Sequence, residues 1–167
     1  SSFAKYRVEG SDAEKALSWI CANNINIEPG RLVYTQLCNK HGGIEADLTV
    51  CRLTENEFYI VTGTGSAARD LNWIERNIPN NCETTITDIS KDNAVLGLMG
   101  PMSREVLAQA SNRNISNEEF PFATWLDLKI ADKTVRALRV TFVGELGWEI
   151  HMPIESATSV YNHLMEI

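Results

Sequence analysis

Residues 39–50 read NKHGGIEADLTV and join two strand-like segments through a pair of glycines. The glycines permit a tight turn, and the apolar residues after them alternate with polar neighbours as in a half-buried strand. Because a strand-like run also precedes the turn at residues 31–38, the stretch predicts an antiparallel hairpin. Asp47 lies at the entrance of the second strand, where an acid is most often a solvated turn residue.

The rest of the chain consists of further hairpins with helices between them. Strands are predicted at residues 3–8, 31–38, 47–53, 58–61, 85–89, 94–99, 124–130, 134–142 and 148–152. Helices are predicted at residues 12–23, 67–77 and 101–110, and from residue 155 to the end. A polar, turn-rich loop at residues 112–122 separates two comparable halves. Strands grouped in hairpins favour an α+β fold with antiparallel sheets over a doubly wound parallel sheet.

The composition indicates a compact unit and argues against two kinds of partner. The chain has 167 residues, of which 44% are hydrophobic, and this is enough for an ordinary core. A net charge of −7 argues against nucleic acid, because affinity for a phosphate backbone comes largely from Lys and Arg. No apolar stretch approaches the roughly 20 residues of a membrane span, so no membrane partner is predicted. We expect residues 1–167 to form one domain.

Two familiar kinds of site are not predicted. Residues 63–68, GTGSAA, match a dinucleotide-binding turn that follows a strand and opens a helix. The acid at the expected distance, Glu83, precedes the next strand instead of ending it, and the surrounding pattern lacks a βαβ unit. A metal site is not predicted either, because the three histidines show no paired-ligand spacing with one another or with the cysteines; they are His41, His151 and His163.

A second informative stretch, residues 144–150, reads GELGWEI and places two acids around a Gly-x-x-Gly turn. Together with NKHGGIEADLTV about a hundred residues earlier, it resembles the signatures of the aminomethyltransferase family. Between them, residues 98–101, LMGP, resemble the family's Q-G-P turn, with Met99 in place of Gln. The opening SSFAKY resembles the start of the corresponding segment in dimethylglycine and sarcosine dehydrogenases. Residues 116–122, SNEEFPF, and the run GELGWE are most similar to the sarcosine dehydrogenase version.

This resemblance implies a fold and a set of site residues. The expected fold has two swapped antiparallel sheet-plus-helix halves, with tetrahydrofolate held in a central channel. Asp47 matches the family's essential carboxylate near the reacting folate nitrogen, a position that a general base can serve. Glu149 matches the acid that pairs with the N–H edge of the pterin, which suits a carboxylate with two acceptor oxygens.

The resemblance assigns four further residues to the folate pocket. Val61, Thr62 and Gly63 occupy the stretch that lines the pterin pocket in relatives. Phe142 falls where relatives carry Tyr, so the ring is kept for stacking and one hydroxyl is lost. Ala46 replaces the first of two aspartates in the family pattern, which points to Asp47 as the acid that matters.

The resemblance also implies a role within a longer enzyme. The chain has no starting Met and stops inside a helical pattern, so we expect a piece lacking a flavin-binding part and a C-terminal barrel. In the parent enzyme, FAD would oxidise the N-methyl group of sarcosine or dimethylglycine, and tetrahydrofolate would trap the carbon as 5,10-methylenetetrahydrofolate. Electron-transfer flavoprotein is a possible partner of the parent, and the mitochondrial matrix is its expected location.

Three alternatives stay open. The pyruvate dehydrogenase phosphatase regulatory subunit resembles the same segment without being an enzyme, although it is less similar around Trp148 and Glu149. A stand-alone aminomethyltransferase would need a lipoyl-carrier partner and normally a doubled Asp, so Ala46 counts against it. The third alternative is an unrelated α+β domain whose acids are surface charges.

Overall fold

The computed structural model describes residues 3–167, which divide after Ser90 into two compact units. We refer to residues 3–90 as the N-terminal unit and to residues 91–167 as the C-terminal unit. Each unit contains one antiparallel sheet and two helices.

The N-terminal unit is a five-stranded sheet with helices packed on one face. Its strands are β1 (Phe3–Glu9), β2 (Leu32–Cys38), β3 (Ile44–Arg52), β4 (Glu57–Gly63) and β5 (Thr85–Asp88), in the spatial order β2-β3-β4-β1-β5. Its helices are α1 (Ala13–Ile20) and α2 (Ala67–Asn77), the latter preceded by a single 3₁₀ turn at Thr64–Ser66. The core contains Tyr6, Leu17, Val50, Phe58 and Ile74, contributed by three strands and both helices.

The C-terminal unit is a four-stranded sheet, again with two helices. Its strands are β6 (Asn93–Met99), β7 (Trp125–Ile130), β8 (Lys133–Leu138) and β9 (Gly147–Pro153), in the order β6-β9-β8-β7. Its helices are α3 (Ser103–Ser111) and α4 (Ala157–Met165), with a 3₁₀ turn at Ile154–Ser156 before α4. Leu107 and Val160 of the helices pack against Trp148, Ile150 and Met152 of β9.

The predicted α+β class with antiparallel sheet-plus-helix halves is confirmed. The swapped arrangement is not seen within residues 3–167, because each sheet takes all its strands from one contiguous half. No helix described in this range is both long and apolar enough to cross a membrane.

Several element boundaries differ from the sequence-based prediction; β3 begins at Ile44 and not at residue 47, so Asp47 lies within the strand and not at its entrance. Two of the other differences have a local cause. The strand predicted at residues 134–142 ends at Leu138, where β8 gives way to a loop that leads to β9. The third helix begins at Ser103 and not at Pro101, because Gly100 has a φ of 129° and the chain turns there before entering the helix.

Gly147 begins β9, and replacing it with Ala is expected to destabilise the fold. A Cβ at this position would lie 2.2 Å from the Met99 sulfur and 2.6 Å from the Leu98 carbonyl oxygen. Because the Leu98 contact is with backbone, β6 must shift to accommodate the methyl group. We expect Gly147→Ala to lower the free energy of unfolding by about 2 kcal/mol, the usual range for overpacking, measured by urea denaturation.

Gly97→Ala is the matched control for this prediction. A Cβ at Gly97, in the neighbouring strand of the same sheet, would meet only the Met99 terminal methyl at 4.0 Å. Its unfolding free energy should stay within about 0.5 kcal/mol of wild type. Equal stability of the two variants would show that β6 accommodates the added methyl without strain.

Candidate functional site

Asp47 lies in the middle of β3, on the sheet face opposite the helices. Its neighbours Ala46 and Leu48 are buried in the core, so the alternation along the strand directs the Asp47 side chain to the other face, where it is exposed. The Tyr34 hydroxyl donates a hydrogen bond of 2.6 Å to Oδ2 of Asp47. The same hydrogen bond raises the pKa of the Tyr34 phenol, because deprotonation would place two negative charges side by side.

A β-bulge brings Tyr34 onto the same face as Asp47. The β2–β3 pairing shifts between Leu37, which faces Ala46, and Cys38, which faces Ile44, so Glu45 is the extra residue. Beyond the bulge Tyr34 faces Thr49 across the hairpin, and paired residues share one face. Tyr34 was not identified from the sequence. In a hairpin without the bulge, Tyr34 would pair with a core residue and would therefore lie on the face that the helices cover.

Val61, Thr62 and Gly63 do not all face the same side of the sheet. Val61 pairs with Thr49 of β3 and therefore lies on the face that carries Asp47, as does the backbone position of Gly63 two residues later. Thr62 points to the helix-covered side, where its hydroxyl donates a 2.7 Å hydrogen bond to Asp70. The Thr62 side chain is therefore engaged inside the N-terminal unit.

Asp70 explains the glycine-rich turn at residues 63–68. Its carboxylate is 1% exposed and accepts hydrogen bonds from the hydroxyls of Thr62 and Ser66 and from the guanidinium of Arg69. The strands on either side of β4 are antiparallel to it. The turn is therefore organised by an internal carboxylate, and its neighbouring strands lack the parallel βαβ arrangement in which a dinucleotide-binding turn occurs.

Lys5 is a buried cation on the face that carries Asp47. It pairs with Val61 in the β1–β4 ladder and is 1% exposed. Burial lowers the pKa of its ammonium group, while Asp88 acts in the opposite direction. Lys5 was not identified from the sequence, because the face on which it lies depends on the pairing of β1 with β4 and is known only from the assembled sheet.

Glu149 is a buried acid in the third position of β9. Trp148 and Ile150 on either side of it are core residues, so the Glu149 side chain lies on the opposite face of the sheet from the helices. It is 7% exposed, and its Oε2 lies 3.2 Å from Nε2 of His151 on the same face. The described residues thus provide one hydrogen-bond partner to a carboxylate that can accept about four hydrogen bonds.

Gly97 leaves space next to Glu149. It faces Glu149 directly in the β6–β9 pairing and presents no side chain there. A Cβ at Gly97 would have only one neighbour within 4.0 Å, the end of a methionine, so packing does not require glycine at this position. A glycine inside a strand often marks the close approach of a ligand, and this signal was available in the sequence.

Phe142 lies in the loop between β8 and β9, not in a strand as predicted. It is 81% exposed, and its neighbour Val143 is 62% exposed. The loop borders an open cavity of about 210 Å³, which Phe122 also lines. The aromatic ring therefore sits at the surface of the C-terminal unit, in the segment that leads directly into Glu149.

Two arginines hold the start of β9 in place. Arg104 and Arg139 stack on the fully buried Trp148 ring, with guanidinium carbons 5.5 and 5.7 Å from the ring centroid. Arg139 also donates to the Phe120 carbonyl at 2.5 Å and to the Asn117 side chain at 2.6 Å. Burial, and then the nearby charge of Arg104, lower the pKa of Arg139. These contacts fix the residue next to Glu149.

The predicted site residues thus form two groups, each inside one unit. Asp47, Val61 and Gly63 share a face in the N-terminal unit, and Glu149 and Phe142 belong to the C-terminal unit. Within residues 3–167, no three His, Cys, Asp or Glu side chains cluster as a metal site would require.

Comparisons with known proteins agree on one family. The model for the GCVT N-terminal domain matches residues 1–167. Mitochondrial sarcosine dehydrogenase of Mus musculus is 37% identical over 180 residues, covering 99% of this chain and 20% of that protein. Mitochondrial dimethylglycine dehydrogenase of Rattus norvegicus is 34% identical over 166 residues, covering 99% and 19%. The chain therefore spans about one fifth of the length of these curated relatives.

A solved structure shares the fold. The glycine cleavage system aminomethyltransferase T from Bartonella henselae superposes with a TM-score of 0.85 at 27% identity. The match covers 99% of this chain and 44% of that one.

Proposed function

This chain belongs to the GCVT N-terminal domain family, and from that premise we propose that it is the folate-binding segment of a flavin-dependent sarcosine or dimethylglycine dehydrogenase. The resemblance inferred from the sequence motifs is confirmed at the family level. In the proposed role the segment transfers the oxidised N-methyl carbon to tetrahydrofolate as 5,10-methylenetetrahydrofolate. The observation that carries the proposal is the buried Glu149 carboxylate with unused acceptor capacity beside the open position at Gly97.

Glu149 fits a ligand with adjacent N–H donors. A buried carboxylate is costly unless its lone pairs are used, and His151 uses only part of them. The edge of a pterin presents neighbouring N–H groups, which a carboxylate accepts in a bidentate manner. Gly97 leaves the surface beside the carboxylate without a side chain, so a flat ring can approach the backbone closely.

Asp47 fits a proton-transfer role. Its carboxylate is exposed to a substrate, and Tyr34 orients one of its oxygens through the 2.6 Å hydrogen bond. Tetrahydrofolate acts in this proposal as the second substrate, whose two nitrogens bond to the iminium carbon. Both N–H protons end on the departing amine as its C–N bond breaks; that amine is glycine when sarcosine is oxidised and sarcosine when dimethylglycine is oxidised. Asp47 accepts a proton from a folate nitrogen and returns it to that amine.

The orientation of each remaining predicted residue decides which part of it can contact folate. Val61 and Gly63 lie on the Asp47 face and stay as proposed pocket residues. Thr62 contributes its backbone only, because its hydroxyl is committed to Asp70. Phe142 supplies an exposed ring that can close over the pterin by stacking.

The oxidation itself belongs to the proposed parent enzyme. In that parent, bound FAD would supply the two-electron oxidation of the N-methyl group, and electron-transfer flavoprotein would accept the electrons. The two dehydrogenase relatives are mitochondrial proteins, which supports a mitochondrial matrix location for the parent. The segment described here traps the carbon before water can release it as formaldehyde.

The proposal is tested by measuring folinate binding and product formation together in the parent enzyme that contains this segment. We expect calorimetry to detect folinate binding. With sarcosine or dimethylglycine, added tetrahydrofolate should replace free formaldehyde with 5,10-methylenetetrahydrofolate. A folded protein that neither binds folinate nor oxidises either amine would favour the regulatory alternative. Turnover that requires a lipoyl carrier would favour a stand-alone aminomethyltransferase.

A further inference from the structure

Glu149 and His151 form a buried pair on one face of β9. The two residues are separated by Ile150, so the strand alternation places both side chains on the same side. They are 7% and 3% exposed, and Glu149 Oε2 lies 3.2 Å from His151 Nε2. His151 therefore directly contacts Glu149, the acid that we propose binds the pterin.

The pair constrains how Glu149 can present its oxygens. A glutamate side chain has three rotatable bonds, and a hydrogen bond to Oε2 restricts their rotation. The second oxygen, Oε1, then remains available in one orientation. A ligand that needs both oxygens at fixed positions binds more tightly to a carboxylate that is already oriented, because less conformational entropy is lost on binding.

The described strands place two charged residues next to His151, namely Arg136 and Glu149. On β8, Arg136 faces His151, but Asp127 of β7 holds its guanidinium at 3.0 and 3.1 Å. On β6 the facing residue is Val95, which carries no charge. On its own strand the neighbour on this face is Glu149. Of these two, Glu149 is the residue whose side chain is hydrogen-bonded to the imidazole.

We propose that His151 is a positioning residue that orients Glu149 for folate and makes folate affinity depend on pH. The inference rests on the proposed function of Glu149. His151 donates its Nε2–H to the carboxylate both as the imidazolium and as the neutral Nε2–H tautomer.

The direction of the pH dependence follows from linkage. Bound folate directs the positive ends of its N–H dipoles toward Glu149, and this positive potential disfavours the imidazolium beside it. Folate binding therefore lowers the pKa of His151. By reciprocity, removal of the His151 proton strengthens folate binding, so affinity rises as pH increases through the histidine titration.

Folinate titrations of two His151 variants test the inference, at several pH values between about 5.5 and 8.5. His151→Gln keeps an N–H donor without a titratable ring, so its affinity should stay within about threefold of wild type while the pH dependence disappears. His151→Leu removes the donor, and its affinity should fall about tenfold. His163→Gln, which removes the other histidine of the C-terminal unit, is the control and should keep the wild-type pH profile.

The outcomes separate this inference from the proposed function. If wild type binds folinate and Glu149→Gln does not, the function of Glu149 stands. Against that background, a wild-type pH profile in His151→Gln or wild-type affinity in His151→Leu would overturn the role of His151 alone. If wild type does not bind folinate, both proposals fail. Should His151→Leu not fold, as judged by circular dichroism, the pH profile of His151→Gln decides the question.

Discussion

Glu149→Gln is expected to weaken folinate binding by about 100-fold, equivalent to about 3 kcal/mol. The amide keeps the size of the side chain but offers one acceptor oxygen and an NH₂ group. One ligand N–H then faces another donor, and the negative charge that strengthens both hydrogen bonds is lost. Calorimetric titration of folinate into wild type and variant measures the effect.

Glu145→Gln is the matched control for the Glu149 prediction. Glu145 lies four residues earlier in the same GELGWEI stretch, but it is exposed in the loop before β9. It should bind folinate as wild type does. If Glu145→Gln lost as much affinity as Glu149→Gln, the effect would come from net charge near the loop and not from a specific contact.

Asp47→Asn is expected to lower the rate of 5,10-methylenetetrahydrofolate formation by about 100-fold or more, the usual contribution of a general base. An amide can hold a similar hydrogen-bonding position but cannot accept the folate proton. Folinate affinity should change by less than about tenfold, because Asp47 acts on the reacting nitrogen and not on the pterin edge. The readout is product formation from sarcosine or dimethylglycine by the parent enzyme that contains this segment, followed by chromatography.

Two further variants test whether the effect on the rate is specific to the Asp47 carboxylate. Tyr34→Phe removes the 2.6 Å hydrogen bond but leaves the carboxylate, so it should reduce the rate by less than Asp47→Asn does. Glu55→Gln changes an exposed acid in the β3–β4 turn and should leave the rate unchanged. Undiminished product formation by Asp47→Asn would remove Asp47 from the mechanism.

Much of the architecture and both candidate acids could be predicted from local sequence. The Gly42-Gly43 pair specifies a turn, and alternation along the flanking segments specifies which strands have a buried face. The helix at Ala67–Asn77 has the predicted bounds because its apolar periodicity is a local signal. Asp47 and Glu149 were identified because the two motifs that contain them, taken together, resemble the signatures of the aminomethyltransferase family; their roles remain predictions.

The partners of those acids are decided by strand register. The bulge at Glu45 moves Tyr34 from the core side to the side of Asp47, and a shift of one residue changes the face of every side chain beyond it. The same alternation turns Thr62 away from Val61 toward Asp70. No motif specifies these pairings, because they depend on hydrogen bonds between strands and not on the residues of one strand.

The sequence by itself determined the turns, the helix periodicity and the α+β class, since each depends on residues within a few positions of one another. It indicated the two acids through the resemblance of their motifs to those of the aminomethyltransferase family. Only the tertiary structure decided that Glu149 is buried against His151, that Gly97 leaves the space beside it, and that Phe142 lies in a loop. Burial and cross-strand neighbours are properties of the assembled sheet. They arise when distant segments exclude water from one another, and no local pattern encodes them.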